Sequence, residues 1–130
     1  MTWEGTDRRQ FARVMYPCMV KIVSPDRPQE AMLTHTENIG QGGLCVIIKK
    51  EIKLFTPVTM EVDLLDISEH IRPKGKVVWN VRRKSDEEVK PLFYSIGIEF
   101  TQLSPADRDH LYKNLEQLIK NGTALVKPFI

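Results

Sequence analysis

Cysteine and tryptophan are scarce in this chain, two of each in 130 residues, and no apolar run is longer than the five residues from Leu44 to Ile48. Each scarcity removes a class of protein. Cys18 and Cys45, each set in an apolar stretch, supply neither a disulfide framework nor a metal cage, and read as small buried thiols of a reducing compartment. A five-residue run cannot span a bilayer, and the opening MTWEGTDRRQ holds no apolar stretch that could act as an export signal. The expectation is a soluble, cytoplasmic protein with no membrane insertion. A strong excess of one charge is also missing: 19 Lys and Arg face 17 Asp and Glu. Any basic site must therefore be local. What is present is an apolar content of 42%, enough for the core of one domain of this length.

The chain organises into an arm, a run of strands and a helix. Residues 1–13 are polar with little periodicity and are expected to form a mobile N-terminal arm. From Val14 the apolar residues Val14, Tyr16, Cys18, Val20 and Ile22 alternate with Met15, Pro17, Met19 and Lys21, the two-residue period of a strand with one buried face. Pro17 predicts an edge or a bulge there. SPDRPQ (24–29) has turn chemistry, and further strands are expected at 31–36, 44–49, 58–64, 77–81 and 94–100. Six short strands in succession predict a mainly β barrel or sandwich. Ser104, Pro105 and Asp107 then mark a helix start, with a hydroxyl cap, proline at the first helical position and a carboxylate in the first turn. Leu111, Leu115 and Leu118, with Tyr112 and Ile119, form an apolar stripe suited to sealing the barrel, and Gly122 closes the helix. The domain is expected over 14–122, followed by an apolar tail, 123–130, that packs back on the domain or on a partner.

Catalytic signatures are weak. The glycine-rich stretch ENIGQGGLCVIIKK (37–50) has no Lys-Ser/Thr after its glycines and leads into a strand, so neither a phosphate loop nor a dinucleotide fingerprint fits. His35, His70 and His110 have unrelated surroundings, and neither cysteine sits in an exposing turn, which leaves no nucleophile with its base. Asp63 and Asp66 read as two solvated carboxylates, and His110 with Asp107 as a surface pair on the helix. No catalytic residue, metal site or cofactor is expected.

The arm is the unusual part. Asp7-Arg8-Arg9-Gln10-Phe11-Ala12-Arg13 places three arginines within six residues just before the first strand. Arginine's planar fork holds phosphate oxygens bidentately, reads the O6 and N7 edge of guanine, or stacks on a base. A glycine-rich strand connection that lets backbone approach a flat ligand is the natural other half of such a site.

At these residues the chain resembles a known family. RRQFAR (8–13) is similar to the RxxxR motif of PilZ domains, and Asn38-Ile39-Gly40-Gln41-Gly42-Gly43 to their second motif, (D/N)xSxxG. KGKVVWNV, YSIGIEF and a helix opening LSPADRDHL add to the resemblance, which covers roughly residues 7–121. It implies a six-stranded antiparallel PilZ-type β-barrel with a C-terminal α-helix, acting as a receptor for cyclic di-GMP, a ligand often bound in this family as a stacked pair. The implied ligand-binding residues are Arg9 and Arg13 of the first motif with Arg8 beside them, and Asn38, Gly40 and Gly43 of the second. Gly40 departs from the pattern, because a serine is expected there. A net hydrogen bond contributes roughly 0.5–1.5 kcal/mol, so the missing hydroxyl should weaken binding about two- to twelvefold and leave the charge-assisted arginine contacts dominant.

The resemblance thus implies an arm that folds over the nucleotide and signals to a downstream protein, with no DNA or RNA as partner. Two other readings remain open from the residues: a PilZ-like adaptor that has lost nucleotide binding and acts through protein contacts, and a small barrel binding single-stranded nucleic acid along Arg82-Arg83-Lys84. The last needs exposed aromatics, whereas Trp79 is expected to share the buried face of Val77 and Val81.

Overall fold

A computed structural model describes residues 13–25, 27–83, 93–120 and, for the backbone alone, 125–127. Alternating apolar residues build strands β1 (Arg13–Met15), β2 (Met19–Ser24), β3 (Arg27–Ile39), β4 (Gly43–Ile48), β5 (Pro57–Asp63), β6 (Lys74–Arg83) and β7 (Phe93–Gln102). Helix α1 (Pro105–Lys120) follows, and β8 (Leu125–Lys127) ends the described chain. The antiparallel ladder runs β2-β5-β6-β7-β4-β3, and a further pairing of β3 with β2 closes it into a six-stranded barrel. β3 is long enough, at 13 residues, to pair with β2 along its first part and with β4 and β1 along its last.

The inward residues of every barrel strand meet in one core, among them Ile22, Val62, Val77, Leu44 and Ile98, with Leu111, Leu115 and Leu118 of α1 in the same cluster. The helix thus seals one end of the barrel, as its stripe predicts. Its start is capped as expected: the Asp107 amide donates to Ser104 Oγ at 3.1 Å and the Arg108 amide to the Ser104 carbonyl at 2.8 Å.

Three local readings are corrected. The single strand expected from Val14 is two, broken at Tyr16–Cys18. Proline has no N–H to place in the ladder, and Thr36 replaces the lost pairing: its hydroxyl donates to the Tyr16 carbonyl and accepts from the Cys18 amide, while its own amide donates to the Cys18 carbonyl at 2.8 Å. The turn after β2 is shorter than SPDRPQ, because Ser24 already pairs with Arg27. Finally, His110 is not partnered by Asp107. It bonds Asp66 at 2.7 Å, while Asp107 accepts from the Arg72 amide at 2.9 Å. Asp66 is therefore a pin between the loop after β5 and α1, rather than a solvated carboxylate.

The tail also finds its place. Val14 opposes Val126 and Arg13 opposes Lys127, so 125–127 packs back on the domain as a strand beside β1. Residues 123–124 and 128–130 lie outside the described residues.

Candidate functional site

Because Ile39, Leu44 and Ile98 point into the core, their neighbours face outward. Asn38 opposes Cys45, Cys45 opposes Gly97, and Gly97 opposes Trp79, a single outward row across β3, β4, β7 and β6. Three strand spacings make this row roughly 14 Å long. Its two ends are set by β-bulges, one between Thr36 and Asn38, the other between Val77 and Trp79. Each bulge inserts one residue and so resets which side chains point out.

The second bulge overturns the expectation for Trp79. Val77 is fully buried, but the extra residue Val78 breaks the alternation, and the partly buried indole of Trp79 lies over Gly97 instead of in the core. Any Cβ at Gly97 would run into the Trp79 ring. A simple two-residue period carries no sign of this, since a bulge is a property of the pairing.

The first bulge aims Asn38. Arg13, expected as the last residue of the arm, is instead the first residue of β1, half-buried, and its Nη1 donates to Asn38 Oδ1 at 2.9 Å. The two motifs therefore touch across 25 residues of sequence. Burial lowers the Arg13 pKa from its ordinary value, with the neighbouring Cys45 acting in the opposite direction. Cys45 itself is pushed up to about 11, chiefly by burial and against a hydrogen bond with Ser95. A thiol held protonated is a poor nucleophile, so Cys45 serves here as packing. Cys18 is likewise pushed up to about 11 by burial, and both thiols are free.

Between β3 and β4 the glycine loop is closed by its own backbone, the Gly40 amide donating to the Gly43 carbonyl at 2.9 Å, and is tied to β7 by the Phe100 amide, which donates to the Gly42 carbonyl at 2.8 Å. Gly43 is required sterically, because a Cβ there would strike the backbone carbonyl of Ile98. Its role is to let β4 approach β7, whereas Gly40, also buried, sits next to the Arg13–Asn38 pair in the chain. Arg8 and Arg9 lie outside the described residues, as does Lys84. Thus Arg13, Asn38, Gly40 and Gly43 come together at the same end of the barrel. Trp79, on the same outward row, is the residue that reading by period missed. Among the described residues no group of three His, Cys, Asp or Glu could hold a metal ion.

Comparison with solved structures finds the same fold. The Bacillus subtilis inhibitor of motility MotI/DgrA superposes with a TM-score of 0.68 at 17% identity, covering 87% of this chain and 52% of that one. The PilZ domain of Escherichia coli YcgR, solved with c-di-GMP, gives 0.67 at 13% identity over 88% of this chain and 94% of that one. The MrkH–c-di-GMP complex of K. pneumonia gives 0.66 at 16% identity over 88% and 54%. The chain thus spans about half the length of MotI and MrkH. No curated protein matches the sequence. The profile of the PilZ domain family matches residues 7–117, which include both motifs and every outward and loop residue described above together with Arg8 and Arg9, and the chain belongs to that family.

Proposed function

We propose that this protein is a receptor for cyclic di-GMP that carries out no chemical step. The observation that carries this reading is the Arg13–Asn38 hydrogen bond, which places a guanidinium of the first motif on the side chain that opens the second. Such a pair is a preformed seat for an anionic, guanine-bearing ligand: Arg13 keeps donors for phosphate or a guanine edge, and the outward row beside it leads to the Trp79 indole, on which a base can stack. Two solved relatives, YcgR and MrkH, hold c-di-GMP in their structures.

The finer mechanism is a proposal in the same sense. Arg8 and Arg9 fold over nucleotide settled against Asn38 to Gly43, and the ordered arm becomes a surface for a downstream protein. Calorimetric titration of cyclic di-GMP into the parent chain and into Arg9→Ala plus Arg13→Ala tests this. Binding by the parent, lost in the double variant, is the expected result, and equal binding by both would overturn the assignment. Absence of binding by either would favour an adaptor working by protein contacts alone, the reading that Gly40 in place of the motif serine supports.

A further inference from the structure

The end of the barrel opposite the Arg13–Asn38 pair carries a feature unrelated to nucleotide. After β4 the chain reads Lys49-Lys50-Glu51-Ile52-Lys53-Leu54-Phe55. Ile52 is buried and roots the loop in the core, while Leu54 and Phe55, adjacent at the turn, are 50% and 67% exposed. This exposure is built in. The Phe55 amide donates to the Val77 carbonyl at 2.7 Å, the Val77 amide to the Thr56 carbonyl at 3.0 Å, and Asn80 Nδ2 to the Ile52 carbonyl at 2.8 Å. Phe55 itself has φ 68°, a left-handed conformation that a bulky residue adopts only where its surroundings impose it. The fold thus spends strain to hold two large apolar side chains in water.

Cations accompany this wedge. Lys76 Nζ lies 5.9 Å from the centre of the Phe55 ring, and Lys49, Lys50 and Lys53 of the same loop are exposed. A cleft of about 250 Å³ beside the loop is lined by Arg27, Lys50 and Lys53 together with Glu30 and Glu51. Of these carboxylates, Glu30 lies within 3.8 Å of Lys50 and 3.7 Å of Arg27, and Glu51 bonds Asn80 at 3.3 Å. Glu99 opposes Lys76. No described carboxylate pairs with Lys49 or Lys53.

We propose that the 49–56 loop docks the protein on an anionic lipid surface, with Leu54 and Phe55 entering the headgroup boundary and the lysines facing anionic headgroups. A lipid surface suits this geometry better than a protein. Two apolar side chains on one turn fall far short of the roughly 800 Å² per partner that a stable protein interface buries. An interfacial anchor needs only an apolar wedge with basic neighbours, each lysine strengthening binding roughly fivefold. Docking of this kind is peripheral; no helix of the described chain is long and apolar enough to cross a membrane. The loop is held to β6, and Asn38 lies three strand spacings, roughly 14 Å, from β6 across β4 and β7, so the wedge and the Arg13–Asn38 pair do not overlap.

The test is co-sedimentation of the full chain with vesicles of phosphatidylcholine alone or mixed with phosphatidylglycerol, at low and high salt. The mixed vesicles should pellet the protein, less at high salt, and the phosphatidylcholine vesicles should not. Leu54→Ser with Phe55→Asn, chosen because asparagine tolerates the left-handed backbone, should cut partitioning at least about tenfold while the circular dichroism spectrum stays that of the parent. Lys49→Glu with Lys53→Glu should do the same. Absence of pelleting with mixed vesicles overturns the proposal. So does pelleting that survives Leu54→Ser with Phe55→Asn, since that would assign it to charge alone, including the arm arginines. Partitioning unchanged by cyclic di-GMP is expected, and loss of partitioning on adding it would overturn the separation of the two ends.

Discussion

Gly40 and Gly43 share one loop and one motif, yet they answer to different demands. Gly43 has no room for a side chain, because the obstacle is the Ile98 carbonyl, part of a strand that cannot step aside. Gly43→Ala should therefore destabilise the fold by about 1–3 kcal/mol, read as a lower urea midpoint with an unchanged slope. Gly40 lacks something instead. Serine at this position would add one hydroxyl to the face that holds Arg13 and Asn38, and Gly40→Ser is expected to tighten cyclic di-GMP binding about two- to twelvefold in calorimetry. An affinity that falls, or does not change, would show that the hydroxyl is not a ligand contact in this chain.

Among elements, the loop between β5 and β6 is the one most dependent on ionised side chains. Leu65 and Ile67 both have positive φ, 60° and 57°, and Ile67 is wholly exposed, so the loop's own conformation is costly. Asp66 holds it, bonding His110 at 2.7 Å and Asn114 at 3.3 Å on α1, and Glu61 of β5 bonds His70 at 2.6 Å. Burial pushes the Asp66 carboxyl up, but the hydrogen bonds from His110 and the Ser68 amide outweigh it, and its pKa lies below the ordinary value. The Glu61 pKa is lowered too, first by His70. A carboxyl depressed on folding contributes stability that is fully present above its unfolded pKa of about 4 and is lost as pH falls through the folded value. Urea midpoints should therefore fall steeply below about pH 4 in the parent and less steeply in Asp66→Asn, which has no carboxyl to protonate. Parallel curves for the two would remove Asp66 from this role. None of these pins is legible in the sequence, because residues 9, 44 and 48 apart are joined only by the fold.

At the scale of the molecule, what could be read in advance was what depends on periodicity and on short motifs. The six barrel strands follow from one buried face each, and the α1 cap from Ser104 and Pro105. The bulges at Glu37 and Val78 were hidden because they are defined by strand pairing, and with them went the outward turn of Trp79 and the docking of Arg13 on Asn38. That docking fixes the first residue of β1 against the second motif. If ligand draws Arg8 and Arg9 onto the same face, binding stabilises only the folded chain, by about 2.7 kcal/mol at a hundredfold excess over the dissociation constant. For a domain of this size the melting temperature should rise by roughly 10 °C. Tryptic cleavage after Arg8 and Arg9 should slow over the same concentration range, because an ordered arm no longer enters the protease. In Arg9→Ala plus Arg13→Ala the thermal shift should vanish. A shift that appears without protection of the arm would place the ligand on the barrel but leave the arm out of its capture, and would overturn the fold-over mechanism while sparing the receptor.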